Sequence, residues 1–500
     1  MDLQLQDFVR SLNIEASQVE PALDILKSNE NVADYLAGTP RDAALLTGVT
    51  CQVLTLILGS GTVSSTPVNE AIVDQNWSQT CWLSPTCIVQ PRSSDDVSKT
   101  LKVVNFLRIR FTVRSGGHSP NPGWASINGT GILIDMQLLH QITVSDSGEV
   151  ASIGPGTRWG DVYQALDQYE VSVVGGRIPS VGVAGVILGG GYFHFSAHYG
   201  LAADNVKNFE VVLADGAIVN ANARSYSDLF WALKGGGPNF GIITRFDLYT
   251  IPVRDIWYQV TIHSNDQVSV ILDAFVEWQQ NGAKDSQSTV ALIIGVETIT
   301  LGLFYATQTP SLEVFAPFKG ISSVSVAVPA TNGTVLELTK ILSATSMSSR
   351  IDAQLYKDVH AFWREQAIAI NNATGANMTF VLQPIPKSLV DAGHGKGGNA
   401  LGLPSEDHQW WTTLVDWNQE SDDEEVRAAV ISVGAKWKEL SEARGLDVPF
   451  IFMNDASRDQ DPLTGYGPTN LQRLKTTSAK YDPTGVLQTL QNDGFLLAKV

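Results

Sequence analysis

Residues 114 to 120 read R-S-G-G-H-S-P, and they follow a run of strand-type residues, Arg110 to Arg114. Two positions without side chains come directly before an imidazole. Glycine lets backbone N–H groups approach a ligand closely, and histidine serves as a nucleophile, a base or a metal ligand. Three further glycine clusters follow: G-P-G at 154–156, G-G-R-I-P-S-V-G-V-A-G-V-I-L-G-G-G at 175–191, and K-G-G-G-P-N-F-G-I-I-T at 234–244. One such cluster marks a turn. Four between short strands point to backbone packed against a large flat or phosphorylated ligand. The stretch from Gly154, G-P-G-T-R-W-G, imitates a dinucleotide fingerprint, but its spacing is G-x-G-x-x-x-G and no acidic residue ends the next strand, V-S-V-V-G-G-R. That excludes a Rossmann unit. The sequence argues against a zinc site too: Cys51, Cys81 and Cys87 lack ligand spacing and no H-E-x-x-H occurs.

The elements that must carry these residues are legible in outline. Ser93 is a plausible cap for a helix over Val97 to Leu107, followed by the strand Arg110 to Arg114. Short strands and helices punctuated by glycine continue to about Pro252, which reads as an α+β domain. Residues 1 to about 78 look helical, and C-Q-V-L-T-L-I-L-G-S-G from Cys51 reads as a buried helix, too short to span a membrane. From Asp255 to about Pro449, alternating strands and longer amphipathic segments predict an antiparallel sheet backed by helices.

The chain has 500 residues, a net charge of −18 and 44% hydrophobic residues, which suits a protein of several domains with a large core. The acidic balance argues against nucleic acid and anionic membranes as partners. No charged-then-apolar leader is visible at the N-terminus, which favours an intracellular protein. Five N-x-S/T sequons, at Asn76, Asn128, Asn332, Asn372 and Asn377, leave secretion open.

The segments R-S-G-G-H-S-P, G-G-R-I-P-S-V-G-V-A-G-V-I-L-G-G-G-Y-F-H-F-S-A-H-Y-G-L-A-A-D-N-V and L-F-W-A-L-K-G-G-G-P-N-F-G-I-I-T occur in this order. With them the chain resembles the FAD-linked oxidases of the vanillyl-alcohol-oxidase (PCMH-type) superfamily, closest to the fungal berberine-bridge-enzyme-like branch. The likeness is strong from Pro85 to Pro252. It returns in the tail at N-D-A-S-R-D-Q-D-P-L, Y-G-P-T-N-L-Q-R-L and K-Y-D-P-T-G-V-L-Q.

The resemblance implies a two-domain α+β fold. Residues 1–252 would form the FAD-binding domain (core about 80–252), 253–449 a substrate domain with an antiparallel sheet and helices, and 450–500 a segment returning to the first domain. It implies FAD joined through its 8α-methyl to His118. Arg114, Ser115, Gly116, Gly117 and Ser119 would offer the pyrophosphate its amides. Gly156, Ile178, Val181, Gly182, Val183, Gly185, Gly191, Asp204, Asn205, Val206, Ile243 and Asn454 would line the same cofactor. Cys51 and Cys87 match the pair that is disulfide-bonded in secreted relatives.

Two departures from the family pattern bear on chemistry. Ile178 stands where many relatives have a second attachment cysteine, which implies attachment through His118 alone. Phe452 stands where a tyrosine often serves as base, so a base would come from Tyr192, His194 or His198, or from His360 or Tyr356, while Asn454 would still hydrogen-bond to substrate or flavin. Val181 occupies the position of the oxygen gate, and a small residue there implies that O2 reaches the flavin. Trp410, Trp411, Phe362, Trp363 and Trp417 could roof an apolar substrate or be core. The expected activity is oxidation of a small organic molecule at a C–H next to O or N, with O2 as acceptor. The alternatives are a cyclase that keeps FAD without net redox work, and a carbohydrate oxidase.

Overall fold

The Ser93 hydroxyl accepts from the Asp96 N–H at 3.2 Å and caps the helix Ser94–Leu107. Val97, Leu101, Val104 and Leu107 form its buried stripe. Arg108, in the left-handed region at φ 55°, ends the helix and feeds the strand Arg110–Arg114. In the computed structural model, which describes residues 2–38, 43–339 and 347–500, this unit builds the first of three sheets. Cys87–Val89 and Arg110–Arg114 both pair in parallel with Gly131–Asp135, and Val63–Ser65 adds an antiparallel edge. Helices Asp2–Ser11, Ala16–Ser28 and Ala43–Leu58 pack with this sheet around one apolar core.

The second sheet is antiparallel. Its strands run in the order Ile142–Val144, Val150–Ile153, Ile242–Ile251, Val206–Val212 and Ile218–Asn222, with Ser172–Val173 also pairing Ile242–Ile251. The third sheet has seven antiparallel strands among the described residues, with Ser288–Ile294 at its centre and Asn377–Ile385 and then His408–Asp416 beside it. Alternation along these strands splits the sheet into two faces. Trp410 joins the core shared with the second sheet, whereas its neighbour Trp411 joins the core beneath the helices Val268–Gln280, Ala353–Thr374 and Asp423–Ala443. Trp363, Phe362 and Trp417 lie on that helix side as well. Of the five candidate roof aromatics, only Trp410 faces the glycine-rich half of the molecule.

The tail closes on the first sheet. The Phe111 N–H donates to the Leu490 carbonyl at 2.9 Å and the Asn492 N–H to the Phe111 carbonyl at 2.7 Å, so residue 111 is gripped on the side away from Gly131–Asp135.

Cys51, on the helix Ala43–Leu58, is disulfide-bonded to Cys87 on the neighbouring strand, as the resemblance implied, and Cys81 is a buried free thiol. The bond closes a loop across a sequence separation of 36. Its removal by Cys51→Ser with Cys87→Ser is expected to cost about 2–4 kcal/mol, chiefly through the freed unfolded chain. A thermal midpoint insensitive to both this change and reductant would refute that. Asn76 is buried, its Nδ2 donating to the Val73 and Cys81 carbonyls at 3.4 and 3.2 Å, which removes one of the five sequons from the surface. The other four asparagines are exposed. Among the described residues, no helix is long and apolar enough to cross a membrane, and no group of three His, Cys, Asp or Glu could hold a metal.

Candidate active site

The turn after Arg110–Arg114 is set from beneath. Arg114 and Asp135 are fully buried and paired, Nη2 to Oδ2 at 3.1 Å and Nε to Oδ1 at 3.3 Å, and Gln90 Nε2 adds 2.9 Å to Asp135 Oδ2. The Arg114 side chain therefore points into the protein, and only its backbone borders the turn. The Ser115 hydroxyl donates to the Pro155 carbonyl at 2.5 Å. Gly116 and Gly182 press backbone on backbone: a Cβ on Gly116 would lie 2.5 Å from the Gly182 N and Cα. Gly117 takes φ 63°, and its carbonyl accepts from the Trp77 N–H at 2.8 Å. Among the described residues, no acceptor takes the backbone N–H of Gly117 or His118. A buried glycine with an open amide is what a phosphate-binding turn requires.

His118 is half-buried at the end of this turn. Its ring stacks on Trp77, centroids 5.0 Å apart and planes 14° from parallel, and Nε2 lies 3.4 Å from the Ser180 hydroxyl. Burial, helped by the charge of Arg158, pushes its pKa down to about 4. The imidazole is therefore neutral at working pH and keeps a lone pair. Ser180 belongs to the segment Ile178–Gly182, which leads into the short helix Val183–Leu188, and the Val183 N–H is fixed by the Thr157 carbonyl at 3.0 Å. Gly185 on that helix is exposed, with nothing within 4 Å of the place a Cβ would take.

Asn454 ties the tail to the same helix. Its Nδ2 donates to the Gly185 carbonyl at 2.7 Å, and its Oδ1 accepts from the Gly191 N–H at 3.0 Å. Both ends of the amide are committed to backbone, so Asn454 acts here as a staple. Gly156 donates its N–H to the Leu139 carbonyl at 2.9 Å, and a Cβ on it would meet the Met136 carbonyl oxygen at 2.2 Å. Contact with protein alone accounts for that glycine. Asp204 accepts from the Leu201 N–H and from Asn399 Nδ2 at 3.0 and 2.9 Å, and Asn205 donates to the Tyr199 and Leu201 carbonyls and accepts from Lys396. These two side chains bind the glycine-rich half to the loop 393–399. Val206 and Ile243 are buried in adjacent strands of the second sheet.

A cavity of about 30 Å³ lies where Arg177, Tyr192 and His194 meet the third sheet, room for about one water. Arg177, Tyr192, His194, Thr289 and Gln383 line it together with aliphatic side chains. The Tyr192 hydroxyl donates to the Pro384 carbonyl at 2.9 Å, and burial pushes its pKa up to about 12. His194 is buried, its pKa is pushed down to about 3 by burial and then by Arg177, and Nε2 has no partner among the described residues. Neither group titrates near neutrality as a base should.

The other candidate bases lie elsewhere. His198 is exposed and bonds the Ser286 hydroxyl at 2.8 Å. Tyr356 and His360 sit on the far face of the third sheet, against Gln279 and among Trp363 and Phe380 respectively. Burial lowers the pKa of His360 to about 4 and raises that of Tyr356 well above the usual tyrosine value. Phe452 stacks on Trp410 at 4.2 Å, so the family's tyrosine position is filled by an apolar pair.

Comparison with known proteins supplies the family. Residues 85–222 match a model described as an FAD binding domain. An FAD-dependent monooxygenase of Arthrobotrys oligospora is 37% identical over 487 residues, covering 94% of each chain. This chain is an FAD-linked oxidoreductase of the PCMH-type, berberine-bridge-enzyme-like family. The bifunctional solanapyrone synthase of Alternaria solani is 32% identical, covering 83% of this flavoprotein and 82% of the relative. Two solved structures share the fold. 6-Hydroxy-D-nicotine oxidase from Arthrobacter nicotinovorans has a TM-score of 0.72 at 20% identity, over 86% of this chain and 97% of that one. Glucooligosaccharide oxidase from Acremonium strictum, described as carrying a 6-S-cysteinyl, 8α-N1-histidyl FAD, also has a TM-score of 0.72 at 20% identity, over 89% and 100%.

The open amides of Gly117 and His118, the neutral imidazole and the bare Gly185 fit an FAD. Arg177, Gln383 and Trp77 escaped sequence reasoning. Arg177 carried a faint signal, a charge inside an otherwise apolar glycine-rich run; Gln383 and Trp77 carried none. A glycine pair tests the surface. Gly185→Ala should leave the fold unchanged, since alanine is the better helix residue and meets nothing, yet weaken FAD retention at least several-fold. Gly116→Ala should abolish retention by forcing the turn from Gly182. Normal FAD content in both variants would place the cofactor elsewhere.

Proposed function

We propose that this flavoprotein takes hydride from a C–H next to O or N of a small organic substrate, with FAD held covalently through His118 alone and O2 as final acceptor, giving H2O2. The neutral, half-buried His118 ring, clamped between Trp77 and Ser180 beside open backbone amides, carries this reading. FAD, when bound, supplies the two-electron acceptor. The chain supplies the rest. Gly117 and His118 offer N–H groups to an anion, and the Ser180 hydroxyl at Nε2 and the Trp77 face orient the His118 ring for the covalent bond. The alkyl side chain of Ile178 cannot make a second one. Val181, half-buried and small, leaves O2 a way in. Arg177, Tyr192 and Trp410 bound the substrate side, and the third sheet excludes water from it.

The test is direct. The purified protein is denatured in acid to see whether the yellow colour stays with the chain, then reduced with dithionite and mixed with air. Retained colour, fast reoxidation and one H2O2 per substrate oxidised are expected. Loss of colour on denaturation ends the covalent reading. Consumption of O2 without matching H2O2 would favour oxygen insertion, as the name of the Arthrobotrys oligospora relative implies for that protein. A second reading is favoured by the Phe452–Trp410 stack and by the lack, among the described cavity residues, of a group titrating near pH 7: a cyclase that shapes a substrate without net redox work. It predicts sluggish reoxidation and a product at the oxidation level of its substrate.

A further inference from the structure

Residues 157–160 grip the segment 179–183 through backbone alone. The Trp159 N–H donates to the Val181 carbonyl, the Gly160 N–H to the Pro179 carbonyl and the Val183 N–H to the Thr157 carbonyl, each at 3.0 Å. Arg158 sits in the middle of this clasp, bridged antiparallel to Gly182. Its half-buried side chain is not needed to close the clasp, yet it crosses to the same segment, where Nη1 donates to the Ser180 carbonyl. Among the described residues that is its only hydrogen bond, and no carboxylate pairs with it. The Ser180 hydroxyl lies 3.4 Å from His118 Nε2, and a Cβ on Gly116 would lie 3.6 Å from Arg158 Nη1. The guanidinium therefore stands beside the turn that ends in His118, with Ser180 linking it to the imidazole. Among the described residues it is the one charged side chain whose field acts on that ring. An arginine keeps its charge at every working pH, so the field is permanent.

We infer that Arg158 is a positioning residue for attachment of the flavin: through Ser180 it sets the orientation of the His118 ring, and its charge disfavours a second positive charge on that ring, which keeps a nitrogen lone pair free to act as nucleophile. The inference rests on the reading of His118 as the attachment point. Attachment replaces one hydrogen of the 8α-methyl by a ring nitrogen. The C–H and N–H bonds break and the C–N bond forms. Two electrons pass to the flavin and on to O2, and the two protons leave with them as H2O2. An imidazolium has no lone pair and cannot take part. Burial of the ring already works against the imidazolium, and Arg158 adds to it. A lysine supplies charge without the planar fork, and a glutamine supplies a hydrogen-bond donor without charge, so the two parts of the role are separable.

The experiment follows covalent uptake of FAD by the full-length apoprotein at saturating FAD, quenched in acid and read as flavin kept by the precipitate. Wild type, Arg158→Gln, Arg158→Lys and Ser180→Ala are compared from pH 8 to pH 5. At pH 5 the wild type should keep about nine-tenths of its rate at pH 8, because its ring stays neutral down to about 4. Arg158→Gln should lose about half over the same range, an upward shift of about one pH unit, with a rate at pH 8 within about twofold of wild type. Arg158→Lys should restore the wild-type profile. Ser180→Ala should slow uptake by one factor at every pH, since the charge is still there. A purely structural role would lower all rates together and leave the shape of the profile alone. Superimposable profiles for wild type and Arg158→Gln overturn the inference, as does a lysine variant that falls like the glutamine one. Should Arg158→Gln fail to fold, Arg158→Met carries the same test of charge. A colourless wild-type precipitate removes the attachment reading and this inference with it; coloured precipitates with superimposable profiles remove the inference alone.

Discussion

His118→Ala should yield a protein whose FAD is released completely by acid precipitation, where the wild-type pellet stays yellow. The side chain contributes one ring stack with Trp77 and one 3.4 Å contact with Ser180, so its loss should leave the far-UV spectrum and the thermal midpoint close to wild type. Non-covalent FAD should still bind, because the amides of Gly117 and His118 remain. Trp77→Ala and Ser180→Ala should slow covalent incorporation into apoprotein without abolishing it, since they orient the ring and do not form the bond. The pH dependence follows from the lowered pKa of about 4. The nucleophile is the neutral ring, so incorporation should be flat from pH 8 to about 5.5 and fall as pH drops through 4. Stability carries the same sign. A histidine whose folded pKa lies below its unfolded value near 6.5 contributes fully above 6.5, and the contribution is lost as pH falls through about 4. His194, lowered to about 3, and His360, lowered to about 4, act alike, so acid sensitivity should persist in the variant with part of its amplitude gone. Covalent flavin in His118→Ala would remove the attachment site proposed here.

What the sequence made legible was local chemistry. Ser93 as a cap and Arg110–Arg114 as a strand are read from neighbours within four residues, and the structure has both. The glycines were legible as a class, but their reasons were not. Gly116 and Gly182 are small because each touches the other across 66 positions of chain, whereas Gly156 is small because of the Met136 carbonyl. Sequence shows the missing side chain and hides what fills its place. The candidate bases failed for a related reason. A histidine in a list has no side of a sheet: His360 and Tyr356 fall behind the third sheet, and His198 falls on the surface. Trp410 and Trp411 separate in the same way. Adjacent tryptophans on a strand must point to opposite faces, and only pairing with Asn377–Ile385 decides which one faces the cavity. Arg177 was hidden because its hydrogen-bond partner, Gln383, comes from another segment.

Separating Arg114 from Asp135 should have the largest effect on stability. The pair lies beneath the His118 turn with both side chains at 0% exposure, so neither charge can turn to water when its partner goes. Arg114→Met leaves a buried carboxylate with only Gln90 as a described side-chain partner, and Asp135→Asn leaves a buried guanidinium whose Nη1 already lacks one. Each single change should cost about 3–5 kcal/mol. The double change Arg114→Met with Asp135→Leu should cost less than the sum by about 1–3 kcal/mol, because it removes both desolvation costs together. Denaturant midpoints at constant slope measure this, and a sum that simply adds would mean the ion pair is not the coupled unit its geometry indicates. The pair should matter to the cofactor as well. A Cβ on Gly117 would lie 3.1 Å from Arg114 Cδ, so the arginine stem is part of the floor on which the turn rests. Arg114→Met, which keeps most of that stem, should retain more covalent flavin than Arg114→Ala even where the two are equally destabilised. A difference of that kind separates a charge that holds the domain together from a surface that holds the histidine in place.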